Sequence, residues 1–186
     1  MSPRILALGD SITYGYPYGH NYSWVNLVSE KLGLSILNLG INGDTLWDME
    51  KRLLIDVVDA NPECVLILGG TNDVFQGVHL DQMKHRLTLI LERLKENQIA
   101  VILGLPIPIQ DKDMEKQLAS FRTFIRTQAR KGKLPLINFQ DAFLDTRKRI
   151  IRGLLEDGVH PSPQGYRLMG EVAEKALKKI FKNPTK

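Results

Sequence analysis

The stretch CVLILGG, residues 64–70, sets five apolar side chains in succession and then two glycines. A strand with one wet face alternates apolar and polar residues, whereas a strand covered on both faces need not. An unbroken apolar run of this length, closed by glycine, therefore reads as a strand inside a parallel sheet. Four further runs have the same form: RILALG (4–9), SILNLG (35–40), AVILGLP (100–106) and LPLINF (134–139). Between them lie patterns of helical period over 23–33, 45–60, 80–97 and 113–133, a shorter helical segment over 141–157, and a last helix from Pro163. Alternating strands and helices predict an α/β fold. The expected architecture is a three-layer α/β/α sandwich on a flavodoxin-like, parallel, five-stranded sheet of order 2-1-3-4-5. Residues 1–186 read as a single domain. Ligands of such sheets bind beyond the carboxyl ends of the strands, where the strand order reverses.

Composition narrows the class. The chain has 186 residues, 43% hydrophobic and 25% charged, with a formal net charge of +4. That length buries a core without disulfides or metal. The basic residues concentrate only in RKGK (130–133), TRKRIIR (146–152) and the C-terminal tail, which reads as solvated helix faces rather than a nucleic-acid surface. The single cysteine, Cys64, lies in an apolar run and reads as a buried structural thiol. No run is long enough to cross a bilayer, and the N-terminus MSPRILALGDS lacks the features of a secretion signal, so a cytoplasmic location with no membrane insertion is expected. The segment TLWDMEKRLLIDVV has apolar positions on more than one face, as a segment packing against a partner would.

The strand ends carry the polar residues of interest. The first ends in GDSITYGY (9–16), which displays Ser11 at the sheet edge after Gly9 and Asp10. Ser in such a place is also a common helix cap. The second ends in NLGINGDT (38–45), where Gly40 would let a backbone N–H approach a ligand oxygen closely, while Asp44 or Thr45 caps the next helix. The third ends in GGTND (69–73), where the amide of Asn72 is a neutral donor suited to an oxyanion, or else forms an Asx turn. In a 2-1-3-4-5 sheet these three loops are neighbours. Late in the chain, DGVHPS (157–162) spaces Asp157 and His160 three apart, with Gly158 for a turn and Ser162 and Pro163 for a helix start. That spacing lets a carboxylate accept from Nδ1–H while Nε2 faces outward, as a general base requires. Of the four histidines, His79 and His85 lie at or on an amphipathic helix and read as solvated; His20 follows a tyrosine-rich loop and could line a pocket.

Taken together, GDSIT with Ser11, NLGINGDT with Gly40, GTND with Asn72 and DGVHPS with Asp157 and His160 resemble the blocks of the SGNH (GDSL-type) hydrolase family, over nearly the whole chain. The resemblance implies a serine esterase: Ser11 as nucleophile, His160 as base, Asp157 as orienter. It also implies an oxyanion hole from the N–H groups of Ser11 and Gly40 and the Asn72 amide, with no metal or cofactor. The family includes carbohydrate acetylesterases, arylesterases, thioesterases and lysophospholipases, so the expected partner is a small-molecule ester. The chain has no insertion large enough for a lid, which favours an open groove for short to medium acyl groups. Candidates to face the substrate are Asp10, Tyr14, Tyr16, Trp47, Phe75 and Pro108, the last in PIPI (106–109). An acyltransferase would share the same acyl-enzyme. A metallophosphoesterase built on Asp10, Asn72, Asp73 and His160 would need further ligands, and a flavodoxin-like binding domain lacks a phosphate-cradling loop.

Overall fold

A computed structural model describes residues 4–182. Its strands are β1 (Arg4–Gly9), β2 (Ser35–Gly40), β3 (Cys64–Leu68), β4 (Ala100–Leu105) and β5 (Leu136–Asn138). All pairings are parallel and the order is β2-β1-β3-β4-β5, as the sequence predicts. The helices are α1 (Ser11–Tyr14), α2 (Trp24–Leu32), α3 (Leu46–Leu53), α4 (Thr71–Phe75), α5 (Leu80–Glu96), α6 (Lys112–Gly132), α7 (Phe139–Ala142) and α8 (Pro163–Lys182). Among the described residues, no helix is long and apolar enough to cross a membrane.

The apolar strands are explained by two cores. Leu6, Leu8, Val65, Ile67, Val101 and Leu103 face α3, α5 and α6. Ile5, Ala7, Cys64, Leu66 and Ile102 face α2, α7 and α8. Alternate residues of each strand thus enter opposite cores, and neither face can be polar. The helices answer with stripes at helical spacing, such as Met83, Leu87, Ile90 and Leu94 on α5. Cys64 is buried, and burial pushes its thiol pKa up to about 12, which leaves it inert.

The helix ends follow local chemistry. Thr45 and Asp48 form a capping box at α3, and the Asp111 carboxylate accepts from two N–H groups at the start of α6. Beyond Leu53 the α3 helix loosens into a π turn over Leu54–Val58. Arg122, buried in α6, is neutralised by a two-pronged pair with Glu115 at 2.7 and 3.0 Å. Its remaining donors reach the carbonyls of Pro106 and Ile107 at 2.7 and 2.8 Å, which holds the segment after β4 against the helix.

One expected element is absent. The segment 141–157 does not form a helix: α7 stops at Ala142, and the chain then runs irregularly to α8 with two isolated antiparallel bridges, Leu144 to Ile150 and Leu155 to Pro161. Asp145 competes with the helix by accepting from the N–H groups of Arg147 and Arg149 at 2.8 and 2.9 Å. Lys148 and Gly153 then take positive φ. The apolar residues are buried here without helical spacing, at Phe143, Leu154 and Leu155.

Candidate active site

At the tip of β1, Asp10 ends the strand and caps the one-turn helix α1, its Oδ1 accepting from the Ile12 N–H at 2.9 Å. Ser11 is therefore the first residue of α1, and its own N–H donates to no described residue. The other end of α1 is held by two donors on the Thr13 carbonyl, Ser23 Oγ at 2.7 Å and Asn38 Nδ2 at 2.8 Å. A single turn gripped at both ends gives Ser11 a fixed mount. Ser11 is only 6% exposed.

The late loop comes to meet it. Asp157 Oδ1 accepts from the N–H groups of Val159 and His160, at 3.0 and 2.8 Å, which closes the turn through Gly158 at φ +88°. Asp157 Oδ2 lies 2.7 Å from His160 Nδ1, and His160 Nε2 lies 3.0 Å from Ser11 Oγ. Burial works to raise the Asp157 pKa, but the His160 N–H, the imidazole and the Val159 N–H outweigh it and hold the carboxyl below its ordinary value. An ionised carboxylate only accepts, so Nδ1 carries the hydrogen and Nε2 presents a lone pair to the serine hydroxyl. The Tyr16 ring packs against the imidazole with centroids 4.6 Å apart, and Tyr18 Oη donates to Glu156 at 2.7 Å, beside Asp157.

The donors around Ser11 differ from expectation at one position. The N–H of Gly40 donates to Asn38 Oδ1 at 2.9 Å and is not available to a ligand. Gly40 is required for another reason: a Cβ there would lie 2.1 Å from the Tyr14 backbone nitrogen, so the glycine lets β2 press against α1. Gly43 is instead the exposed glycine, at φ +88° in the turn over 41–44, and its N–H donates to no described residue. That turn is fastened at both ends to the same sheet edge. Ile41 N–H donates to the Gly9 carbonyl at 3.1 Å, and the Asp44 carbonyl accepts from Asn72 Nδ2 at 3.0 Å. The second hydrogen of the Asn72 amide remains unspent. The Asn-Gly pair at 42–43 was the signal in the sequence for a turn with positive φ.

Two other expected positions are corrected. Asp10 does not face a substrate: it is 1% exposed, and its Oδ2 has no partner among the described residues. Burial, against the pull of the Ile12 N–H and with help from Asp73 and Asp44, pushes its pKa up to about 7. Pro108 is also buried and lines a cavity of about 530 Å³ with Gln110, Gln140 and Ile150 rather than the surroundings of Ser11. The remaining candidates lie at the surface of the strand-end edge: Tyr16 is 42%, Trp47 53% and Phe75 41% exposed. Tyr14 is half-buried and meets His20 edge to face at 4.5 Å. Among the described residues, no three His, Cys, Asp or Glu side chains are grouped to hold a metal.

The raised pKa of Asp10 has a measurable sign. Its carboxyl titrates near 3.8 in the unfolded chain and about 7 in the folded one. Between these values the native state binds more protons, so stability falls as pH rises through the window, by up to about 1.4 kcal/mol per pH unit. Asp10→Asn keeps the Oδ1 acceptor for Ile12 and removes the charge. The urea midpoint of the variant should therefore fall less than that of the wild type between pH 4 and 7. Parallel curves for the two proteins would show that Asp10 is not the group responsible.

Comparison with known proteins places this geometry in context. The model of the GDSL-like Lipase/Acylhydrolase family matches residues 7–168. An acetylxylan esterase of Geobacillus stearothermophilus is 26% identical over 159 residues, covering 78% of this chain and 73% of its own. Thioesterase 1/protease 1/lysophospholipase L1 of Escherichia coli (strain K12) is 25% identical, covering 95% of this chain and 84% of its own. A solved structure of a G-D-S-L family protein from Desulfitobacterium hafniense DCB-2 superposes with a TM-score of 0.87 at 28% identity, over 94% of this chain and 99% of that one.

Proposed function

The chain belongs to the GDSL-like lipase/acylhydrolase family of carboxylic ester hydrolases, and on that premise we propose that it works by two-step acyl transfer on Ser11. One observation carries this reading. Residues 149 positions apart meet in an unbroken line, Ser11 Oγ to His160 Nε2 at 3.0 Å and His160 Nδ1 to Asp157 Oδ2 at 2.7 Å. His160 takes the Ser11 proton as the oxygen attacks the ester carbonyl, and Asp157 stabilises the imidazolium that results. The carbonyl oxygen becomes an anion, and the unspent donors around it are the N–H groups of Ser11 and Gly43 and the free hydrogen of the Asn72 amide. His160 then gives its proton to the leaving alcohol, the C–O bond breaks, and an acyl-Ser11 remains. A water molecule, deprotonated by the same imidazole, attacks the acyl carbon and releases the acid and the enzyme.

The site is suited to short and medium acyl groups, since Tyr16, Trp47 and Phe75 lie open on its rim and offer apolar surface without enclosing a tunnel. A series of p-nitrophenyl esters from acetate to palmitate, run beside the matching thioesters, should show the highest kcat/KM among the shorter chains. A maximum at palmitate would contradict the open rim. A serine-directed organophosphorus reagent should label one residue, and peptide mass mapping should place it at Ser11. Label on any other residue would overturn the mechanism. Asn72→Ala should lower kcat by about 10²–10³-fold with KM little changed, because the amide's free hydrogen meets charge that exists only in the transition state. A rise in KM at unchanged kcat would remove Asn72 from the oxyanion hole.

A further inference from the structure

Two of the proposed oxyanion donors, the Ser11 N–H at the β1 tip and the Gly43 N–H in the 41–44 turn, sit on segments that share one side chain, and it belongs to neither segment. Arg52 lies on α3 and is largely buried, with 14% of its side chain exposed. Its Nε donates to Asp44 Oδ2 at 2.7 Å and its Nη1 to Asp56 Oδ2 at 3.0 Å. Its Nη2 donates to two backbone carbonyls, Gly9 at 3.2 Å and Leu39 at 2.7 Å. Gly9 is two residues before Ser11, Leu39 is the penultimate residue of β2, and Asp44 directly follows Gly43. The same Asp44 supplies the carbonyl that fixes Asn72 Nδ2.

We propose that Arg52 is a positioning residue for ester hydrolysis, holding the Gly43 turn and the Asn72 amide in register with the Ser11 strand tip. This rests on the acyl-transfer reading given above. The reason for an arginine is geometric. Only a planar fork can reach a carboxylate on one side and two strand-end carbonyls on the other while keeping its charge when buried. The partners are chosen accordingly: Asp44 and Asp56 neutralise the guanidinium, and the two carbonyls consume donors that would otherwise be buried unpaired. Burial holds the Asp44 pKa above its ordinary value, and the charge and hydrogen bond of Arg52 limit that rise. Without the fork, the 41–44 turn keeps its Ile41 and Asn72 bonds and stays near its place. Its N–H groups are then no longer held to the fraction of an ångström that stabilising a transition-state oxygen demands.

A purely structural role would give a different pattern of results, which the experiment separates. Arg52→Ala and Arg52→Lys are assayed on p-nitrophenyl acetate beside Arg86→Ala as a control. Arg86 pairs at 2.9 Å with Glu50, on the same helix as Arg52, and touches neither strand tip. The expected result is a fall in kcat on the order of 10²-fold for Arg52→Ala at little change in KM, a smaller fall for Arg52→Lys, and a near-normal kcat for Arg86→Ala. Millimolar guanidinium chloride should restore part of the lost kcat in Arg52→Ala and leave Arg86→Ala unaffected. If Arg52→Ala does not fold, Arg52→Lys carries the test, because a lowered kcat at an unchanged melting temperature still separates positioning from stability. A normal kcat in Arg52→Lys and Arg52→Ala, or losses that follow the melting temperature in the Arg52 and Arg86 variants alike, would overturn the proposal. Failure of the acyl-transfer reading would appear separately, as wild-type activity that does not depend on Ser11.

Discussion

Ser11→Ala is expected to lower turnover on p-nitrophenyl acetate by roughly 10⁶-fold, the scale set by removal of a nucleophile from other hydrolytic triads. The magnitude follows from how the site is assembled. Once the hydroxyl is gone, His160 has no oxygen within reach to activate except that of a water molecule. The reaction then loses its covalent intermediate and the entropy advantage of a nucleophile already in place. The donors around the oxyanion remain, so a slow residual rate above that of water is expected. The loss should not come from unfolding. The Ser11 side chain makes one hydrogen bond, to His160, and the cap of α1 is built by Asp10 rather than by Ser11. A melting temperature close to wild type, together with a proper denaturation baseline, checks this. Equal rates for wild type and variant would reject Ser11 as the nucleophile, whatever the state of the fold.

The sheet was legible because its strands are covered on both faces, so each strand is a plain apolar run that needs no long-range information to be read. Most residues of the candidate site were legible for a related reason. Ser11, Asn72 and the Asp157–His160 pair sit at strand and helix boundaries, where glycine, cap residues and proline punctuate the chain. The failures lie where a side chain bonds a backbone group, near or distant in sequence, in place of the expected arrangement. Between Gly40 and Gly43, the decision turns on Asn38, whose side chain takes the Gly40 N–H while bridging to Thr13 and Ser23. Asp10 stands next to the nucleophile in the chain, yet its own backbone turns the carboxylate inward to cap α1. Arg52 offers no local signal of its role, since with Asp56 four residues on it fits an ordinary exposed helix face, while its two strand-end carbonyl partners lie further away in sequence. The segment 141–157 has helical composition but is broken by Asp145, which bonds its own loop, and by the need to bring Asp157 and His160 across the sheet edge to Ser11.

Asp157→Asn should lower kcat by about 10⁴-fold, through the wrong tautomer of His160. It should also be more damaging than Asp157→Ala, and this order is the sharper test. In the wild type, Asp157 Oδ1 accepts from two backbone N–H groups, those of Val159 and His160. In the variant only the amide oxygen can occupy that position, so the amide NH₂ is turned towards His160 Nδ1. An NH₂ group donates, which forces Nδ1 to accept and places the imidazole hydrogen on Nε2. His160 then offers Ser11 a donor where a base is required. Alanine imposes no such tautomer. The Asp157 side chain is 50% exposed, so water can reach the vacated place, accept from Nδ1–H and satisfy the two backbone groups. The alanine variant loses orientation and the charge that stabilises the imidazolium, but it retains a base facing the serine. Steady-state kcat for the two variants, measured at the same pH with melting temperatures in hand, decides the matter. Asp157→Ala slower than Asp157→Asn would mean that Asp157 acts by holding the turn rather than by setting the proton on His160.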